Sequence, residues 1–305
     1  MINGSRQVLC YQLQSHVLPV LQDDYLIVYG GTGVPFGHSS SNDVHVCNLK
    51  TQTWRTLQCS GQIPQKQYGH AMVRHNGDLY VVGGTTGFNY NMEVHCLRMS
   101  SGQEPYVWEN LSCAPEPKHR YRHEAVCYED KLYILGGGTS DTTCILSTID
   151  AFDLLQNRWV EVATRTDPQN GYPNARRCHA VVHHKHYAYI TGGYDGRMVF
   201  RDVWRLDLRT LEWHKMRDRM SKGAFFHDAD VSPDGCMFIF GGVTSANNLS
   251  RTNAIYAAWL EAPPLKTVAA AALLRYCPHL PALPTDLLTR CGVPLDVVMW
   301  MKDSV

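Results

Sequence analysis

The sequence predicts an all-β fold followed by a short helical segment at its C-terminal end. Three observations carry that prediction. A di-glycine recurs at Gly30-Gly31, Gly83-Gly84, Gly136-Gly137, Gly192-Gly193 and Gly241-Gly242, in steps of 53, 53, 56 and 49 residues. Each pair closes an apolar run: YLIVYGG, LYVVGG, LYILGG, AYITGG and MFIFGG. These runs are rich in β-branched and aromatic residues, so they read as buried strands. Only after residue 262 does the periodicity become helical.

Other marks keep register with the glycines. His70, His123 and His179 stand thirteen residues before the first glycine, and His227 and His16 fourteen before. Their recurrence marks them as structural hydrogen-bonding groups. A tryptophan closes each of the first four copies: Trp54, Trp108, Trp159 and Trp213. Between glycine and tryptophan lies a third strand, such as DVHVCNL or DVWRLDL, and Asn76-Gly77 supplies a hairpin turn. Each copy therefore offers four strands in about fifty residues, the pattern of a β-propeller blade. Glycine ends the second strand because it permits positive φ and close backbone approach.

The fifth copy is incomplete. It has its glycines and a third strand, NAIYAAWL, but no tryptophan-bearing fourth strand follows. The run QVLCYQL near the N-terminus is a candidate closing strand, though it lacks the tryptophan. Either the ring closes with five blades or an N-terminal blade is absent from this form; the second reading is preferred.

Lys plus Arg and Asp plus Glu are both 28, so the formal net charge is zero. That removes a bulk electrostatic case for nucleic acid or an acidic membrane surface. No stretch approaches a membrane span. The start is a poor secretory leader. The eleven cysteines lack CxxC spacing and read as reduced thiols of a cytoplasmic or nuclear protein. The HHKH at residues 183–186 falls at an expected hairpin turn without a carboxylate or cysteine in ligand spacing. It is not read as a metal site, and no cofactor is expected. No nucleophile elbow or phosphate loop is present, so an enzyme is disfavoured.

The tail, residues 263–305, is read as a segment distinct from the propeller of residues 1–262. Leu265, Val268, Ala269, Ala272, Leu273 and Tyr276 make one apolar stripe at helical spacing. Pro263-Pro264 precedes the helix and Cys277-Pro278 ends it. Pro284 opens a second helix that Gly292 ends, and Pro294 begins a third. The stripe either packs on the propeller rim or docks a partner.

Two resemblances sharpen this. The di-glycine, the following aromatic or polar residue and the spaced tryptophan resemble the kelch repeat over residues 15 to about 260. In the tail, Pro264, Leu265, Val268, Ala269 and Leu273 resemble an elongin-binding BC box, with alanine at 269 where the family usually has cysteine. Leu283, Pro284 and Leu287 resemble a cullin-2 box. Together with NDVHVCN, YRHEA, YILGGGTS, ARRCH and GCMFIFGG, these motifs resemble the kelch substrate receptors of cullin-2 RING ubiquitin ligases. The resemblance implies a propeller that captures client proteins and a tail that recruits elongin B/C and cullin-2, while a separate enzyme transfers ubiquitin. It also implies recognition of client C-termini that end in glycine or alanine. A kelch scaffold without ligase assembly is the alternative.

Kelch ligands bind around the central channel, where the loops before the first strand and after the di-glycine meet. There the sequence offers Arg120, Tyr121, Arg122, Arg176, Arg177, Tyr194, Tyr68 and Phe226. Arginine makes bidentate bonds to a carboxylate and aromatic walls lower the local dielectric, so this set suits a terminal carboxylate. Arg122 stands directly before His123 and is the first choice; Arg176 and Arg177 are not separated by sequence.

Overall fold

Each di-glycine run forms the second strand of a four-stranded or closely related sheet. The structure, a computed structural model, describes residues 17–21, 25–33, 39–100, 102–247 and 250–303. His16 and the QVLCYQL run lie outside the described residues.

Blade 1 is Val17–Leu21, Tyr25–Tyr29, Val44–Asn48 and Thr53–Thr56. Blade 2 is Ala71–His75, Asp78–Thr85, Tyr90–Arg98 and Tyr106–Asn110, with Cys59–Gly61 added in parallel at its outer edge. Blade 3 is Glu124–Tyr128, Lys131–Leu135, Thr148–Asp153 and Arg158–Ala163. Blade 4 is Ala180–His184, Tyr187–Thr191, Asp202–Asp207 and Glu212–Arg219. Blade 5 has three strands, Asp228–Val231, Cys236–Phe240 and Ile255–Trp259. Strands follow sequence order within each blade. These are the five blades of a β-propeller that the five di-glycine repeats predict. Asn76 and Gly77 both have positive φ in a two-residue hairpin, as expected of an Asn-Gly turn. Lys185 and His186 occupy the turn between the first two strands of blade 4.

One packing rule repeats. Side chains one and three places before the first glycine meet those two and four places before the glycine of the next blade. Ile27 and Tyr29 share a cluster with Leu79 and Val81; Tyr80 and Val82 with Leu132 and Ile134; Tyr133 and Leu135 with Ala188 and Ile190. A strand in a propeller is buried on both faces, which is why the runs are continuously apolar. The tryptophans add to these interfaces unequally. Trp108 and Trp213 are fully buried, whereas Trp54 and Trp159 are half-buried. Trp213 Nε1 donates to the Leu146 carbonyl of blade 3 at 3.1 Å.

The glycine–histidine register has a steric cause. Gly136 and Gly137 have φ of 63° and 83°. A side chain on Gly136 would meet the ring of His179 from the next blade at 2.7 Å, and one on Gly137 would meet His123 of its own blade at 2.6 Å. Gly30, Gly83 and Gly192 stand against His70, His123 and His227 in the same way. The histidines at these joints are buried, and two of them carry hydrogen bonds across the joint. His123 Nε2 donates to the Val82 carbonyl at 3.1 Å, and His227 Nε2 bonds Thr191 Oγ1 at 2.8 Å.

The chain divides into two units: Met1–Asp230 with Ile239–Tyr256, and Val231–Phe238 with Ala257–Val305. In the second unit three helices follow one another, α1 (Leu265–Tyr276), α2 (Thr285–Arg290) and α3 (Leu295–Asp303). Ala270, Leu288, Val297, Val298 and Met301 form their core, with Leu274, Leu280 and Val293 at its border. Lys266 pairs with Asp296 at 2.6 Å and links α1 to α3. Among the described residues no helix is long and apolar enough to cross a membrane.

Candidate functional site

Among the described residues, the residue before each registered histidine is Gly69, Arg122, Cys178 or Phe226, and all four have φ between 55° and 66°. Their backbones bond in sequence around the channel. Arg122 N–H donates to Gly69 O at 2.7 Å, Cys178 N–H to Arg122 O at 3.1 Å, and Phe226 N–H to Cys178 O at 2.9 Å. First strands of neighbouring blades approach one another beneath this line. The loops after the di-glycines meet it: Tyr68 bridges Thr85, Tyr121 bridges Gly138, Arg177 bridges Tyr194 and Phe225 bridges Val243.

This geometry separates the four arginines that the sequence grouped. Arg122 is gathered with three of the expected aromatics. Its guanidinium carbon lies 4.7 Å from the Phe226 ring centre, 5.8 Å from Tyr121 and 6.0 Å from Tyr68. Such contacts hold a planar cation against π faces. Arg177 donates to the carbonyls of Thr139 and Ser140 on the neighbouring blade's loop. Tyr194 stacks on Phe225 at 5.0 Å and donates to Gly196 O at 2.7 Å.

Arg120 and Arg176 turn away from that cluster into their own blades. Arg120 pairs with Asp150 and donates to Lys118 O. Arg176 has no exposed surface; it grips both oxygens of Asp202, at 2.7 and 3.2 Å, and donates to Gly192 O. Its guanidinium carbon lies 4.4 Å from the Phe200 ring centre. Both stand three places before the registered histidine, where blade 2 has Gln67 bonded to Asn91. The position joins the entering loop to the third strand, so these two arginines belong to blade architecture in this structure.

Sequence reasoning missed several neighbours. Tyr90 lies 5.2 Å from Tyr121, and its hydroxyl accepts the Ser140 N–H at 3.0 Å. Phe225 is 5.1 Å from Phe226 and occupies the register of Tyr68 and Tyr121, which was the signal available. Glu124 and Asp228 open the first strands of blades 3 and 5, one residue past their histidines. Burial raises the Glu124 carboxyl well above its usual range, the charge of Asp228 adds to this, and Arg122 opposes it. Burial also raises Asp228. The Arg122 cation therefore sits in a partly desolvated field with the weakened acid Glu124 nearby.

In the tail the expected stripe is bare. Leu265 and Tyr276 are 83% and 81% exposed, and Val268, Ala269 and Leu273 are also exposed. Leu283, Pro284 and Leu287 are exposed too. The helix packs through its other side, Ala270 and Leu274. Within this unit the helices do not bury the stripe in their shared core.

The family model described as "KLHDC2/KLHL20/DRC7 Kelch-repeats domain" matches residues 15–242. The chain is 42% identical over 288 residues to Kelch domain-containing protein 10 of Rattus norvegicus, covering 93% of this chain and 69% of that protein. It is 42% identical over 284 residues to the Homo sapiens protein of that name, covering 93% of this chain and 64% of that protein. The Drosophila melanogaster homolog is 35% identical over an alignment of 317 positions that covers 95% of this chain and 51% of that protein. The chain thus spans about two thirds or less of these relatives' length.

Proposed function

Because the chain belongs to the kelch-repeat family that includes Kelch domain-containing protein 10, we propose that it is a substrate receptor of a cullin-2/elongin B/C RING ubiquitin ligase. The propeller holds client proteins by C-termini ending in glycine or alanine. The tail recruits elongin B/C and cullin-2. The protein itself is non-catalytic.

The bare stripe on α1 carries this reading. A helix whose opposite side already packs in a core, yet presents leucine, valine and tyrosine to water, is built for a partner helix. Arg122 supports the client half. A buried cation ringed by Tyr68, Tyr121 and Phe226 offers charge-assisted bonds to a carboxylate. Arg177 lines the same face from the next blade.

Each half has its own test. Burying a leucine contributes roughly 1.5–3 kcal/mol, so Leu265→Ala weakens elongin capture about tenfold or more. Undiminished capture by the folded variant removes the BC-box reading. Truncating one partner of a desolvated pair costs about 2–5 kcal/mol. Arg122→Ala therefore weakens a Gly- or Ala-ended peptide roughly thirtyfold. Amidating the peptide does similar damage to the wild type and little more in the variant, read by fluorescence polarisation. Equal binding of free-acid and amidated peptides returns Arg122 to blade structure.

Ala269, where the family usually has cysteine, favours the second reading: a protein-binding scaffold without ligase assembly. Failure to co-purify with elongin B/C, with client capture intact, selects it.

A further inference from the structure

Blades 2, 3 and 4 leave their di-glycines through one and the same turn. Thr86, Thr139 and Asp195 stand at the same place after the glycines. Each donates its N–H to the carbonyl three residues on, at 3.1, 2.9 and 3.3 Å. Each also accepts, on its side-chain oxygen, the N–H groups two and three residues on. The blade 3 turn is clamped from both sides as well. Ser140 N–H donates to the Tyr90 hydroxyl of blade 2 at 3.0 Å, and Arg177, entering blade 4, donates to Ser140 O at 2.9 Å.

These fixed turns raise three side chains of different chemistry at the same position: Phe88, Asp141 and Arg197. Phe88 is 93% exposed, and Asp141 and Arg197 are exposed too. The turn is bonded through its cap and its backbone, so it makes no demand on the tip residue and leaves it free for recognition. A single exposed phenylalanine on a surface needs no explanation. This one stands beside the Arg122 cluster. Phe88 is two residues before Tyr90, whose ring lies 5.2 Å from Tyr121, and Tyr121 is 5.8 Å from the Arg122 guanidinium. An extended chain advances about 3.3 Å per residue, so a peptide leaving Arg122 reaches these tips roughly three to six residues before its end.

We infer that the three tips read the side chains of a client segment upstream of its terminus: Phe88 seats a large apolar side chain, Asp141 faces a basic one and Arg197 an acidic one. The inference rests on the client-receptor reading above and adds selectivity to it. Charge complementarity at such a rim chooses among partners more than it adds affinity, and a turn already bonded in place loses little freedom on binding.

The test selects a library of about twelve-residue peptides, ending in alanine or glycine and randomised over the third to sixth places from the end, on the immobilised 305-residue chain. Wild type enriches a large apolar, a basic and an acidic residue there. Phe88→Ser loses the apolar enrichment, Asp141→Lys exchanges basic for acidic, and Arg197→Glu exchanges acidic for basic. With the best selected peptide, fluorescence polarisation reads about tenfold weaker binding for Phe88→Ser. Each charge reversal weakens it about fivefold at low salt, an effect that fades as salt rises. All three variants keep the wild-type Tm, because the tips are exposed. Peptides that bind through Arg122 yet show the same enrichment in all three variants overturn this inference and leave the client reading standing. Binding by no peptide, or binding indifferent to Arg122→Ala, removes the client reading and this inference with it. A fall in Tm for Phe88→Ser, or a dimer in sedimentation that Phe88→Ser dissociates, assigns Phe88 to the fold or to a second copy and overturns the inference as well.

Discussion

In blade 4 the runs AYITGG and DVWRLD are covered on both sides, and Trp213 is sealed beneath the blade 3 loop at Leu146. In blade 5 the run MFIFGG has equal or greater hydrophobicity, yet half of it faces water. The first three strands follow the same order in both sheets, with the same hydrogen bond at the first glycine. The difference lies outside either sheet. A blade brings one half of two interfaces, and its stability depends on the halves that its neighbours bring. Apolar composition records what a strand was shaped to meet, not whether it meets it.

The sharpest way to break this comparison is to remove a group that blade 4 has fully enclosed. Arg176→Ala leaves Asp202 without its cation in a half-buried setting, and the loss is about 3–5 kcal/mol of unfolding free energy by urea titration. Asp202 retains some water, which puts the effect at the lower end. The burial of Asp202 opposes its ionisation, and the bonds from Arg176 more than offset this, holding its pKa below the usual value. A loss under about 1 kcal/mol, as for a surface pair, would return Arg176 to the client site.

The joint between blades 4 and 5 gives a smaller, pH-dependent effect. Burial lowers the His227 pKa from 6.5 to about 4. Between those values the unfolded chain binds a proton that the folded chain refuses, so stability falls as pH drops from about 6.5 to about 4. His95, inside blade 2, carries the same shift. Urea midpoints of His227→Asn should therefore show a shallower slope in that window, with the His95 part remaining. An unchanged slope would mean that His227 is hydrated in solution and that the joint is open.

The smallest effect is expected at the bare face. Phe240→Ser changes stability by no more than about 0.5 kcal/mol in this chain, as for an exposed substitution. Val82→Ser, at the same register in blade 2, costs several times more because it places a hydroxyl in a packed joint. Equal costs at the two positions would show that blade 5 is covered.

Much of the fold was legible because its constraints are local and repeated. Gly136 and Gly137 cannot carry side chains beside His179 and His123, so the marks recur at a near-constant distance. The hairpin at Asn76-Gly77 follows from residues that tolerate positive φ. The stripe on α1 follows from 3.6-residue periodicity, and its spacing was right although its fate was open. The site was legible only in part. Tyr68, Tyr121, Arg122 and Phe226 do meet, but they come from three blades and from loops where spacing says little about direction. Tyr90 and Phe225 were missed because each reaches the cluster through a neighbouring ring.

The sequence by itself determined the number of recognisable repeats, the strands within them, the buried histidines and the helical tail. Each of these rests on steric or periodic demands that a few neighbouring residues satisfy. Tertiary structure alone decided which arginine faces the channel. Arg120 and Arg176 lie two residues or less from Arg122 and Arg177, yet Asp150 and Asp202 draw the first pair inward. It also decided which apolar face lies bare, since burial belongs to two surfaces and a sequence run describes only one.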